Sequence, residues 1–202
     1  MRKSVCFSIL LVCCLLYVSA QDSKNISWQF ALYNSTGNTL NPRTSSEPVT
    51  VADGSQFKLG MSCESDAYCY IADEQPDGTI NTIFNGTVKS SSELDLPGQN
   101  SFFTLQPPDG IERFHIIISS VRQKKLEKLL SSSDKGSCSP SVSRQIIDEI
   151  GRLRLTLTPY TEEPAKPVVM GATSRGFTPG LTPDATAFSG ASVYVETVRI
   201  RH

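Results

Sequence analysis

Apolar and polar residues alternate along several short stretches of this chain. The clearest stretch covers residues 26–33, where Trp28 and Phe30 are separated by polar or small residues. A period of two places such side chains on one face of an extended backbone, which predicts a half-buried β-strand. The alternation returns at residues 57–63, and a further strand-like run follows at residues 68–72.

Turn residues separate these runs from one another and from the strands that follow. Pro, Gly, Asn and Asp suit the backbone angles of tight turns. They cluster at residues 53–54, 76–78, 85–86 and 107–110. Residues 112–119 are apolar on both faces, which predicts a central, well-buried strand.

The period changes after Ser120. Ser120 and Gln123 have the spacing of a capping box, and an apolar helical face follows them. A second helix is predicted with Ser139 as its cap and Pro140 at its first helical position. Together the two segments predict a helical hairpin between strands, at about residues 120–155.

This order of elements predicts a mainly β fold, an antiparallel β-sandwich with an inserted helical hairpin. Residues 21–202 fit a single domain of this kind. Residues 156–188 are rich in Pro, Gly and Thr, which predicts a long loop across the domain. The final residues, 193–201, return to strand character.

Residues 1–20 have the three parts of a secretory signal peptide. A basic start precedes an apolar run at residues 5–18, and small residues lead to a cleavage position between Ala20 and Gln21. The run is shorter than the roughly 20 residues that cross a bilayer, so we expect no transmembrane anchor in the mature chain. We expect an exported protein, periplasmic or extracellular. A lipid-anchored form, cleaved before a cysteine of the run, is the alternative.

Charge limits the class of partner. Removing residues 1–20 takes away two basic residues, so 17 Lys and Arg remain against 20 Asp and Glu, a net charge of −3. The sequence has no stripe of Lys and Arg of the kind that neutralises nucleic-acid phosphates. We therefore expect no nucleic-acid partner.

The cysteine count falls with the signal peptide, which leaves Cys63, Cys69 and Cys138. Cys63 and Cys69 flank a five-residue segment between strand-like runs, so a cross-strand disulfide is geometrically conceivable in an oxidising compartment. The alternative is that both are small apolar side chains of the core. Cys138 would then be a leftover thiol in a loop.

Four stretches of the chain carry a resemblance to a known family. They are Asp53-Gly-Ser-Gln-Phe-Lys-Leu59, Asp66-Ala-Tyr-Cys-Tyr-Ile71, Pro107-Pro-Asp-Gly-Ile-Glu112 running into Phe114-His-Ile-Ile-Ile-Ser119, and Phe188-Ser-Gly-Ala-Ser-Val-Tyr-Val195. In this order they resemble the bacterial envelope family called domain-of-unknown-function family 4384. Members often have proline where this chain has Asn85. The resemblance implies a secreted or envelope β-rich module with no established catalytic residues.

Tyr68 and Tyr70 share one face of the strand-like run at residues 68–72. If that face is exposed, the two rings form a rigid, amphipathic contact surface. If that face is the core face, the rings pack inside with their hydroxyl groups hydrogen bonded.

The candidates for catalysis are few. His115 could be paired with Ser119 or Ser120, but strand residues four apart are about 13 Å apart along the backbone. No Gly-x-Ser-x-Gly elbow, paired zinc ligands or phosphate-binding glycine loop is present in the sequence. We therefore predict no enzyme, no metal and no cofactor.

The sequence thus favours a non-catalytic module that binds or scaffolds another envelope or secreted protein. Two alternatives stay open. One is a hydrolase that uses His115, and the other is a small-ligand carrier with the loop at residues 156–188 as a lid.

Overall fold

The computed structural model describes residues 26–35, 48–98, 100–105, 107–133, 138–156 and 186–202. The predicted signal peptide with its cleavage position at Ala20 and Gln21 lies outside the described residues. So does nearly all of the loop predicted at residues 156–188; at its described ends residue 156 is helical and residues 186–188 are strand, so the prediction of a loop is wrong there.

Within the described residues the chain forms ten strands and two helices. In chain order they are β1 (Ile26–Asn34), β2 (Val49–Thr50), β3 (Gln56–Cys63), β4 (Ala67–Glu74), β5 (Ile80–Val88), β6 (Glu93–Leu96), β7 (Phe103–Thr104), β8 (Ile111–Ser119), α1 (Lys124–Ser133), α2 (Pro140–Thr156), β9 (Thr186–Ala191) and β10 (Val193–Arg201). The prediction of a mainly β fold with two helices after the first strands is confirmed. Neither helix of the described part is long and apolar enough to cross a membrane.

The first sheet has the strand order β6-β3-β1-β9, with β7 paired to β3 beside β6. All of its pairings are antiparallel, and Trp28 of β1 lies opposite Cys63 of β3. The strand β1, which the strict alternation predicts, lies between β3 and β9 in this sheet.

The second sheet has the order β2-β10-β8-β4-β5 and is mixed. Its long strands pair antiparallel, but β2 runs parallel to β10, with Val49 opposite Ile200. The prediction of a purely antiparallel arrangement is wrong at this edge. Because β2 is only two residues long, it has no alternation from which a pairing could be predicted.

A single buried cluster draws side chains from both sheets. Trp28 and Phe30 of β1 and Met61 of β3 contribute from the first sheet, and Ile116 and Ile118 of β8 contribute from the second. We call this cluster the inter-sheet core. It is built from alternate residues of each central strand, as a period of two requires.

The helices cover the other face of the second sheet. Ile117 of β8 and Tyr70 of β4 join Leu126 of α1 and Ile146 and Ile150 of α2 in a second buried cluster, here called the helix-side core. The central strand β8 is thus buried on both faces, as its apolar run predicts.

The two helices begin in different ways. Ser139 accepts the backbone N–H of Val142 at 3.4 Å and Pro140 is the first helical residue, which confirms the predicted start of α2. The predicted capping box of α1 is wrong, because the Ser120 hydroxyl donates to the Ser192 carbonyl instead. The Tyr70 hydroxyl accepts the N–H of Gln123, so a sheet residue caps this helix.

Candidate functional site

His115 lies in the middle of β8, on the face that carries the helices, and is 5% exposed. The strand register places Ala72 of β4 on one side and Thr197 of β10 on the other. Its Nδ1 atom is 3.0 Å from the Thr197 hydroxyl, and its Nε2 atom is 2.9 Å from Glu74 Oε2. Both ring nitrogens are therefore committed to side chains of neighbouring strands.

The carboxylate partner fixes the direction of one of these two bonds. Glu74 as a carboxylate only accepts, so Nε2 donates to it, whereas the Thr197 hydroxyl is able to donate to Nδ1 or to accept from it. The bond from His115 and the nearby Arg113 guanidinium hold the pKa of Glu74 below its ordinary value, although partial burial acts in the opposite direction. The result is a hydroxyl, an imidazole and a carboxylate in one hydrogen-bonded row.

Two arginines donate hydrogen bonds to this row, and a third lies opposite one of them on the neighbouring strand. Arg113 of β8 donates to Glu74 Oε1 at 3.0 Å, and the guanidinium of Arg154, in the last turn of α2, donates to the Thr197 hydroxyl. Arg199 of β10 is the register partner of Arg113. We call Arg113, Arg154 and Arg199 the arginine cluster. Arg154 and Arg199 are exposed, and Arg113 is partly exposed.

The serines that the sequence offers to His115 are not its partners. Ser119 is fully buried, and its hydroxyl donates to the Val121 carbonyl while Gln123 donates to it. Ser120 bonds to Ser192. The actual partners, Glu74 and Thr197, lie 41 and 82 residues away along the chain. Only the register of three strands brings them together, and no local motif could have indicated it.

Tyr70 does not belong to an exposed contact surface, because it is fully buried beneath α1. Its hydroxyl donates to Glu127 at 3.0 Å and accepts from Gln123 at 2.9 Å, and burial raises its pKa. The packed alternative therefore describes this residue. Tyr68 is half-buried against the same cluster.

Cys63 and Cys69 are free, buried thiols, and both lie in the inter-sheet core. Burial raises the pKa of Cys63 to about 11, and burial together with the neighbouring Cys63 raises that of Cys69. Cys69 donates to the Met61 sulfur at 3.6 Å. Protonated, enclosed thiols behave as small apolar side chains, which is the alternative that the sequence left open. Cys138, also free, is half-buried.

A second polar group lies at one end of the molecule. The side chain of His202 is enclosed, with Nδ1 3.3 Å from Asp53 and Nε2 3.4 Å from Glu112. Asp73 is also buried, and burial followed by the charge of Glu112 raises its pKa to about 7. Across the part of the chain that the structure describes, no three His, Cys, Asp or Glu side chains converge as metal ligands.

Comparison with known proteins adds one match. Residues 50–122, which run from β2 to just past β8, match a family model described as Domain of unknown function (DUF4384). The resemblance read from the sequence is therefore confirmed for residues 50–122, and the stretch at residues 188–195 lies outside this match. No curated protein matches the chain. No solved structure matches it either.

Proposed function

We propose that this chain, in which residues 50–122 form a DUF4384 domain, is an exported, non-catalytic module that binds or scaffolds another protein of the bacterial envelope. Export is supported by the signal-peptide pattern of residues 1–20. A β-sandwich is the architecture we propose for the module. The inter-sheet core supports it, because both sheets contribute alternate side chains to one cluster.

The observation that carries the proposal is the state of the groups around His115. The imidazole is almost enclosed, both of its nitrogens are bonded, and both Glu74 oxygens are occupied by His115 and Arg113. Such a row holds three strands in register, while the arginine cluster extends from it into solvent. Rigidly supported arginines are frequent centres of protein recognition.

Capture from envelope fractions tests this function. Residues 21–202 would be the bait, beside the variant Arg113→Gln/Arg199→Gln and a matched control, Lys128→Gln/Arg144→Gln, which removes two charges from exposed helix positions. We expect a defined partner with wild type and control, and its loss with the cluster variant. Equal capture by all three chains would show that the arginine cluster does not contribute to binding of the partner. Absence of any specific partner would contradict the binding module itself.

A hydrolase is the second candidate, and one observation favours it. The Thr197 hydroxyl, His115 and Glu74 have the order of a nucleophile, a base and an orienting carboxylate. Release of p-nitrophenolate from p-nitrophenyl acetate would test it, with His115→Gln and Thr197→Val as variants. Activity that both variants abolish would establish the hydrolase, and an equal rate for all three chains would exclude it.

The third candidate, a small-ligand carrier, depends on the loop at residues 156–188 as a lid. Almost all of that loop lies outside the described residues, so the carrier stays a prediction from the sequence.

A further inference from the structure

The imidazole of His202 is enclosed at the end of the second sheet where β10 stops and β8 begins. Its side chain is 0% exposed, with Nδ1 3.3 Å from Asp53 and Nε2 3.4 Å from Glu112. Asp53 lies in the turn between β2 and β3, and Glu112 lies on β8. Neither ring nitrogen has a hydrogen-bond partner among the described residues. The ring therefore lies between two carboxylates without well-formed hydrogen bonds to either.

A third carboxylate, Asp73 of β4, lies at the same end. Its register partner on β8 is Phe114, two residues from Glu112, so both carboxylates are on the face that packs on the first sheet. Both residues are 6% exposed, and Asp73 Oδ1 has no hydrogen-bond partner in the described part of the chain. Phe57 and Phe103 of the first sheet pack on Phe114, with ring centroids 5.2 and 6.3 Å from its own. Aromatic rings rather than water therefore lie beside Asp73.

The other charges near this end lie on the opposite face of the second sheet or on the main chain. Glu74 follows Asp73 on β4 and points to the opposite face, yet its charge also raises the pKa of Asp73. Arg113 of β8 and Arg201 of β10 lie on that opposite face as well. In a chain that stops at His202, the terminal carboxylate is a further charge, and it stays ionised above about pH 4.5. His202 is therefore the basic side chain that these contacts place beside the buried carboxylates.

Few backbone hydrogen bonds fasten this end within the residues that the structure describes. The N–H of His202 donates to the Gly110 carbonyl at 3.2 Å, and the N–H of Gly110 donates to the main-chain oxygen of His202 at 3.1 Å. The strand β2 pairs with β10 at two positions, and the N–H of Val51 donates to the Arg201 carbonyl at 2.9 Å. Segments with so few bonds at the end of a sheet can open while the central strands stay folded.

Burial raises the pKa values of both buried carboxylates. For Asp73, burial and then the charge of Glu112 raise the pKa to about 7, although hydrogen bonds from Asn81 and Gln75 act to lower it. Burial also raises the pKa of Glu112, against the opposing effect of His202. The closed end therefore holds more protons than the same groups would hold in water.

We infer that this end of the molecule opens locally as pH rises, when proton loss from Asp73 and Glu112 releases His202 and the end of β10 from their enclosed positions. The inference goes beyond the proposed function and does not depend on it. At higher pH the closed end would hold two neighbouring buried charges, whereas water solvates them once the end is open. Opening would also separate β2 from β10 and uncover the edge of the second sheet at Ile200 and Arg201.

Amide hydrogen exchange of residues 21–202 tests the inference from about pH 4.5 to about pH 7.5, with each rate divided by the intrinsic rate at that pH. For each proton lost, opening should become at most about tenfold more frequent per pH unit, and it should level off above the pKa of Asp73. We therefore expect protection of the Val51, Gly110 and His202 amides to fall by at least about tenfold. Low urea should leave their exchange unchanged but accelerate exchange of Ile117, in the middle of β8, because only global unfolding exposes that amide.

Variants identify the protons involved. Asp73→Asn should remove most of the pH dependence at the three amides, and Glu112→Gln should weaken it. Asp109→Asn, at an exposed turn residue, is the matched control and should follow wild type. Wild-type protection that does not change with pH would overturn the inference, as would full pH dependence in both variants. Protection equal to that of Ile117, with the same response to urea, would also overturn it, because opening would then be global.

Discussion

At the scale of single residues, Asp73 is a buried carboxylate whose pKa the fold raises strongly. It is 6% exposed, and its Oδ1 atom finds no hydrogen-bond partner among the described residues. Glu112, from β8, and Glu74, the next residue on β4, raise its pKa further through their charges, while Asn81 and Gln75 act to lower it through hydrogen bonds. Burial is the largest effect, so the fold favours the protonated acid.

This raised pKa gives a signed prediction for stability. An unfolded Asp titrates near 3.8, whereas Asp73 titrates near 7 in the fold. The folded state therefore holds more protons than the unfolded state between these values, so stability falls as pH rises from about 4 to about 7. Each unit of pKa shift corresponds to about 1.4 kcal/mol. Asp73→Asn should flatten this part of the profile in urea unfolding.

Asp73→Asn should also be more stable than wild type above pH 7, because the buried Asp73 carboxylate is charged there and lowers the free energy of unfolding most. Glu112, whose pKa is raised as well, should leave a smaller slope of the same sign. The exposed Asp109→Asn is the control and should follow the wild-type profile. A wild-type unfolding free energy that rises between pH 4 and pH 7 would contradict the prediction.

Residues also show where sequence reasoning stops. His115 could be identified as the sole mid-strand histidine, and its buried setting follows from its apolar neighbours. Glu74, Thr197 and Arg154 could not be assigned to it, because a pattern of period two gives the face of a strand but not its register against others.

At the scale of elements, the helical hairpin is fastened by one enclosed carboxylate. The Glu149 side chain of α2 is 1% exposed and lies 2.7 Å from Lys125 of α1 and 2.5 Å from Arg152 of its own helix. These hydrogen bonds lower its pKa. The apolar stripe predicts a packing face for α2, and this ion pair adds a polar contact between α2 and α1.

Glu149→Gln should loosen the contact between the two helices. Removing the charge leaves two cations beside a neutral amide, and we expect a loss of about 1–3 kcal/mol, less if the exposed Lys125 and Arg152 find water. In Glu149→Gln, amide hydrogen exchange should accelerate more in α1 and α2 than in β8, relative to wild type. Asp148→Asn, one residue earlier and exposed, is the matched control and should leave the exchange unchanged.

The contribution of Glu149 to stability depends on pH with the opposite sign to that of Asp73. A lowered pKa means that Glu149 contributes stability above its ordinary value near 4.5, and that this contribution is lost as pH falls through the lower, folded pKa. Exchange in the helices of wild type should therefore approach that of Glu149→Gln in acid. Wild-type protection that stays constant down to the acid limit would argue against the carboxylate as the fastening group.

At the scale of the whole molecule, the strand β8 connects two cores. Ile116 and Ile118 enter the inter-sheet core, and Ile117 enters the helix-side core, all fully buried. A chain with this arrangement should unfold as one unit, because neither core can be lost without exposing the other face of the same strand.

Ile116→Ala and Ile117→Ala, on opposite faces of β8, test whether the two cores unfold together. Each should lower the free energy of unfolding by about 2–5 kcal/mol, since each leaves a cavity in a packed core. Trp28, the single tryptophan and a member of the inter-sheet core, reports one layer, and far-ultraviolet circular dichroism reports the helices. Both signals should shift together in both variants. A helix transition that separates from the Trp28 transition in Ile117→Ala would indicate two independent units.

The sequence by itself determined the longer strands β1, β3, β4, β8 and β10, the start of α2, the burial of β8 and the match of residues 50–122 to the DUF4384 family model. Each depends on local periodicity, on turn and cap residues, or on motifs within a single segment. The tertiary structure alone decided the parallel edge at β2, the covering of Tyr70 and the meeting of Glu74 and Thr197 at His115. These depend on strand register and helix docking between residues that are distant along the chain, and a one-residue change of register would move every such side chain to the other face.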